Sequence, residues 1–158
     1  MMMAAKTKKP RAGATPRLQF AALPWRVGEG GVIEILLATS RDTKRWVIPK
    51  GWPMKGRKPH IAAKIEAMQE AGLSGRIDKN ASGFNDYEKR LRDDVSVSCR
   101  VEVFALRVEK QKKRWPEKNQ RATRWFPYAL AAGLVDEPQL QALIRAFGDA
   151  RKVNREDA

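Results

Sequence analysis

Apolar residues fall along the chain in runs of two different periods. The stretches FAALPWRV (20–27) and VIEILLAT (32–39) are apolar and β-branched, and GEGG between them is a turn signal, so the pair predicts a β-hairpin. A further short strand is predicted at WVIP (46–49). Over 95–108 strict alternation sets in. Val95, Val97, Cys99, Val101 and Val103 interleave with Ser96, Ser98, Arg100 and Glu102, the longest strand signal present. Helical spacing marks two other regions. From Pro59 to Ala71 a helix is predicted with Pro59 in its first turn and Gly72 just past its end, with Ile61, Ile65 and Met68 toward the core. Over 137–147 a second helix is predicted, with Leu140, Leu143, Ile144 and Phe147 on one face. LSGRIDKNASGFNDY (73–87) reads as turn-rich, EKQKKRWPEKNQRA (109–122) as a charged loop, and TRWF (123–126) as a short strand. Strands on both sides of a central helix, closed by a terminal helix, predict an α+β domain in α/β/α layers.

At 158 residues the chain is one domain in size. Residues 1–16 form a basic, Pro/Gly-interrupted segment that predicts a disordered arm; 17–148 carry the fold, and 149–158 are expected to be a C-terminal tail. Charge changes the picture most. There are 32 Lys and Arg against 18 Asp and Glu, a formal +14, and only five of the cations lie in the first seventeen positions. The folded part is therefore itself basic, which suits a polyanionic partner: a phosphate-rich small molecule, nucleic acid or an anionic surface. Lysine serving solubility alone explains the same excess. One cysteine, Cys99, excludes an internal disulfide and reads as a small core residue; one histidine, His60, excludes chemistry that needs two. No apolar run approaches a membrane span and no secretory stretch opens the chain, so the expected compartment is the cytoplasm.

The candidate chemistry lies in PKGWPMKGRKPHIAAKIEAMQEAGL (49–73). Glu66 and Glu70, four apart, project from one helix face, with Gln69 beside them. Two adjacent carboxylates repel, and a dication reverses that repulsion; oxygen ligands suit Mg²⁺ or Mn²⁺. The upstream turn supplies Lys50, Gly51, Lys55, Gly56, Arg57 and Lys58, a setting for anionic oxygens ahead of a helix N-terminus. A solvated acidic face is the competing reading of the same pair.

Residues 51–73 resemble the Nudix box, G-x5-E-x7-R-E-U-x-E-E-x-G-U with U aliphatic. Gly51, Glu66, Glu70, Gly72 and Leu73 match in register, and Ala67 occupies the first U position. The flanks RWVIPKGW and RATRWF are similar to bacterial relatives of diphosphoinositol polyphosphate and diadenosine polyphosphate hydrolases, and the likeness spans about residues 17–148. Three positions depart from the pattern: Arg57 and Ile65 stand where glutamate and arginine commonly pair, and Gln69 where a metal-binding glutamate is expected. The resemblance implies a mixed β-sheet between helices. It also implies Mg²⁺-dependent hydrolysis of pyrophosphate bonds in diadenosine polyphosphates, diphosphoinositol polyphosphates or NTPs, with metal held by Glu66, Glu70, the Gly51 carbonyl and, weakly, Gln69. Ser40, Arg41, Lys50, Arg100 and Arg121 match positions facing substrate phosphates in the relatives. Glu117 is either a general base or an exposed loop acid. Trp25, Trp46, Trp115 and Trp125 read as packing residues; Trp52 is a packing residue or a surface for a base. Two other functions stay open: a binding module with impaired catalysis, for which Arg57, Ile65 and Gln69 speak, and removal of pyrophosphate from RNA 5′ ends, ranked third.

Overall fold

The structure, a computed structural model, describes residues 15–157. The basic arm read over 1–16 therefore lies, except for residues 15 and 16, outside the described residues. The chain forms β1 (Arg17–Val27), β2 (Ile33–Thr39), β3 (Trp46–Val47), β4 (Lys50–Gly51), α1 (Pro59–Ala71), β5 (Leu73–Ile77), β6 (Gly83–Arg92), β7 (Val95–Gln111), β8 (Thr123–Pro127), α2 (Tyr128–Leu134) and α3 (Pro138–Asp157).

One mixed sheet joins all eight strands, in the order β3-β2-β1-β7-β5, with β4 on β1, β6 on β7 and β8 on β2. The expected hairpin is there: β1 and β2 pair antiparallel, Trp25 opposite Ile35, across a turn in which Gly30 and Gly31 take positive φ. β1 and β7 run parallel, Phe20 beside Glu102 and Trp25 beside Arg107. The middle of β1 is buried on both faces, which is why its sequence reads as a continuous apolar run rather than an alternation. On one side Leu23, Trp25, Ile35, Val103, Leu140 and Ile144 join the sheet to α2 and α3. On the other, Phe20, Ala22, Leu36, Phe104 and Leu106 meet α1. The result is the α/β/α layering that the pattern implies. No helix among the described residues is long and apolar enough to cross a membrane.

Three expectations change. The core face of α1 is Ala62, Ala63, Ala67 and Ala71, not Ile61, Ile65 and Met68, which are only half-buried. Alanines let the helix axis approach the sheet closely, and the larger residues fill the flanks. The segment 73–87 holds β5 and half of β6. Its glycine is structural: a Cβ on Gly75 would lie 2.0 Å from the Arg107 carbonyl oxygen, beside a register shift between Ser74 and Gly75. The terminal helix, read over 137–147, runs to Asp157 through the residues set apart as a tail.

Candidate active site

α1 and the strand before it bring two acids together. β4 pairs with β1, Phe20 opposite Gly51, and passes directly over Glu66. A Cβ on Gly51 would sit 2.0 Å from Glu66 Oε2 and 2.3 Å from its Cδ, so glycine is what allows the carboxylate to rest against this backbone. One turn on, Glu70 is only 5% exposed and is hydrogen-bonded to Glu66.

The helix ends where the site needs it to end. Gly72 takes φ 72°, and its N–H bonds back to Met68 O. The next three carbonyls are all capped by the end of β7 and the charged loop that follows it. Gln69 O accepts from Glu117 N (3.0 Å), Glu70 O from Trp115 Nε1 (3.1 Å) and Ala71 O from Gln111 Nε2 (2.9 Å). The loop is thus tied to the turn of helix that bears Glu70, and it delivers two charged groups there. Arg121 donates from Nε to Glu117 Oε1 (2.8 Å) and from Nη1 to Thr39 O (3.2 Å), and its Nη2 lies 3.8 Å from Glu70 Oε1.

Burial of a like-charged pair sets the electrostatics. Burial, then the hydrogen bond and charge of Glu66, push Glu70 up to about 8 against the pull of Arg121 and Lys50. Glu66 is raised too, mainly by burial. Lys50 is lowered by burial, which the Glu70 carboxylate partly offsets. The pair titrates as a unit and holds a proton near neutral pH. A dication replacing that proton would satisfy both oxygens. Among the described residues no group of three or more His, Cys, Asp or Glu side chains is arranged to hold a metal. The donor set is therefore two carboxylates, which fits a hard dication that fills its shell with water and phosphate oxygens.

These groups open into a cavity of about 310 Å³. Of the residues proposed from sequence, Ser40, Arg41, Lys50, Gly51, Glu66, Glu70 and Arg121 line it. Gln69 and Arg100 do not. Arg100 follows the pleat of β7 away from buried Cys99 and Val101; it forms a double hydrogen bond with Asp86 (2.8 and 3.1 Å) over the Phe84 ring. Seven more residues complete the lining, Gln19, Val47 and Ile48 among them. Glu117 and Trp52 each carried two readings in the sequence, whereas Asp42 and Lys89 went unnoticed. Lys89 sits in a stretch of β6 without apolar alternation, so no local signal marks it. A larger cavity of about 540 Å³ opens beside the β1–β2 turn, lined by Val32, Pro127 and Tyr128 with Lys152 as its one charged residue. It holds no carboxylate among its lining residues.

No protein-family model matches the chain. Nudix hydrolase 12 of Arabidopsis thaliana is 27% identical over 132 residues, 79% of this chain and 65% of that protein. Nudix hydrolase 4 of the same plant is 31% identical over 119 residues, 75% of this chain and 56% of that one. Diphosphoinositol polyphosphate phosphohydrolase 3-alpha of Mus musculus is 28% identical over 94 residues, 58% of this chain and 53% of that one. Among solved structures, an Ap4A hydrolase of C. elegans aligns with TM-score 0.61 at 18% identity, covering 84% of this chain and 96% of that one. In sequence and in fold alike, the chain is similar to Nudix hydrolases. It spans roughly half to two-thirds of the length of the curated relatives named here.

Proposed function

We propose that the chain is a Mg²⁺- or Mn²⁺-dependent hydrolase of pyrophosphate bonds in polyphosphorylated small molecules. The observation that carries this is the pair of buried Glu70 and half-buried Glu66, sharing one cavity with Lys50 and Arg121. Glu66 and Glu70, with the Gly51 carbonyl, would hold the metal; when bound it neutralises phosphate charge and acidifies water. The protein's own residues do the rest. Lys50 and Arg121 place cations beside the carboxylates, where phosphoryl oxygens of a bound chain gain both charge and direction. Arg121 also holds the Glu117 carboxylate at the cavity wall, oriented to accept the proton of an attacking water. Ser40 and Arg41, from the turn after β2, line the cavity as further phosphate donors. Its Ser40 hydroxyl is hydrogen-bonded to Thr43 (2.7 Å) and its Arg41 to Gln120 (3.0 Å), so the turn is held in place. Relatives and neighbours named for Ap4A and for diphosphoinositol polyphosphates support this substrate range.

A binding module with impaired catalysis remains the second reading, favoured by the two-carboxylate donor set and by Gln69 outside the cavity lining. The test is cleavage, followed by ³¹P NMR, of diadenosine polyphosphates, diphosphoinositol polyphosphates and NTPs by the wild type and Glu70→Gln. Turnover abolished in the variant supports the hydrolase. Tight binding without turnover supports the module.

A further inference from the structure

Trp52 stands apart from the rest of the cavity wall. The other lining side chains are charged, polar or small aliphatic, and Trp52 is the one aromatic among the described residues that form it. It is 38% exposed, in a protein whose other tryptophans are buried or half-buried. Its position is fixed rather than loose. Pro53 confines the Trp52 backbone to extended conformations, and the turn beyond is closed by Arg57 N donating to Met54 O (3.0 Å) with Gly56 at φ 75°. A partly exposed indole on a polar cavity presents an apolar face to whatever enters it.

Lys89 stands opposite. It is held by the β6–β7 ladder, paired with Val97, and its Nζ lies 5.9 Å from the centre of the Trp52 ring. Charged residues of the lining meet phosphate oxygens alike in any polyphosphate, so discrimination among polyphosphates requires a neutral contact, and the Trp52 face supplies one.

We propose that Trp52 and Lys89 form a clamp at the cavity, Trp52 stacking on a nucleobase and Lys89 holding an adjoining phosphate, so that base-bearing polyphosphates are preferred over base-free ones; this rests on reading the cavity as the polyphosphate site. Entry of a base exchanges a weak, exposed cation–π contact for a stack on the indole and frees Lys89 for phosphate.

The test is calorimetric titration of the full chain, in Mg²⁺, with the β,γ-methylene analogue of ATP and with inorganic tripolyphosphate. Wild type binds the nucleotide about 5- to 100-fold more tightly. Trp52→Leu brings that ratio close to one, and Trp52→Phe keeps most of it. Lys89→Gln weakens both ligands by a similar factor. Equal affinities in the wild type, a ratio unmoved by Trp52→Leu, or no effect of Lys89→Gln would overturn the clamp. The hydrolase reading fails separately: a preserved ratio without cleavage of ATP or Ap4A removes the hydrolase and leaves the clamp. Cleavage with an unmoved ratio does the reverse. Failure of both ligands to bind removes the clamp and the site together.

Discussion

Gly51→Ala separates stability from function at this site. Gly51 is not among the glycines with positive φ, so alanine meets no backbone strain there. The new methyl carbon instead meets Glu66: 2.0 Å from Oε2, 2.3 Å from Cδ and 2.9 Å from Cγ. Ordinary contact between such atoms is about 3.5 Å, so the carboxylate must withdraw by roughly 1.5 Å. It can do so by rotating, since the atoms met belong to the far part of a flexible side chain. A forced rotamer costs about 0.5–1.5 kcal/mol, and the lost freedom of the unfolded glycine offsets part of that. The expected change in stability is therefore within about 1 kcal/mol, a Tm shift of a few degrees at most. Displacement of a ligating group by more than an ångström is expected to lower turnover about 100-fold. Thermal melts by circular dichroism, Mn²⁺ titration and cleavage assays measure the three quantities. If Gly51→Ala bound metal and turned over like the wild type, the account of why glycine stands beside Glu66 would be wrong. Loss of the fold would equally refute the claim that the clash is local.

Other expectations follow from the same geometry. Metal binding must expel the proton held near pH 8 by Glu70, so apparent Mg²⁺ affinity rises about 50-fold from about pH 6 to about pH 8. Titrations in buffers of differing ionisation heat would show the released proton. For the metal-free protein the sign is opposite: the folded state holds this proton more tightly than the unfolded chain. Stability is therefore fully present below the ordinary carboxylate range and is lost as pH rises through about 8. Melts in a chelator should show Tm falling across that window, and Mg²⁺ should restore it; a flat profile contradicts the buried pair. Gly72→Ala combines a left-handed φ of 72° with a methyl 2.3 Å from the Trp115 ring, so a loss of about 2 kcal/mol is expected in denaturant unfolding, with turnover reduced as the loop shifts. Arg100→Gln breaks a solvent-screened surface pair with Asp86 and should leave both the melting temperature and kcat/KM essentially unchanged. A large kinetic effect there would restore Arg100 to the site.

Much of this molecule is legible in its sequence, because the relevant signals are local. Pro59 and Gly72 mark α1 to the residue, since ring geometry and a left-handed cap act within one turn. The β1–β2 hairpin and β7 follow from apolar runs alone. What stays hidden depends on partners distant in the chain. The alanine face of α1 carries too little hydrophobic contrast to stand out beside Ile61, Ile65 and Met68. β5 and β6 lack a sustained apolar alternation, and exist because β7 is beside them to pair with. The capping of Gln69, Glu70 and Ala71 by Glu117, Trp115 and Gln111 is a tertiary event across some forty residues, with no sequence trace. Arg100 shows the opposite case: a basic residue on an alternating strand reads as a phosphate contact, yet the pleat that exposes it turns it toward Asp86 and away from the cavity lining.

The central claim is that Glu66 and Glu70 form a metal site, and a Mn²⁺ titration followed by electron paramagnetic resonance addresses it most directly. It would compare the wild type with the Glu66→Gln/Glu70→Gln double variant near pH 8. The account predicts tight Mn²⁺ binding in the wild type, competed by Mg²⁺, and its loss in a double variant that still melts cooperatively. Equal Mn²⁺ binding by both proteins, or none by the wild type, would contradict it.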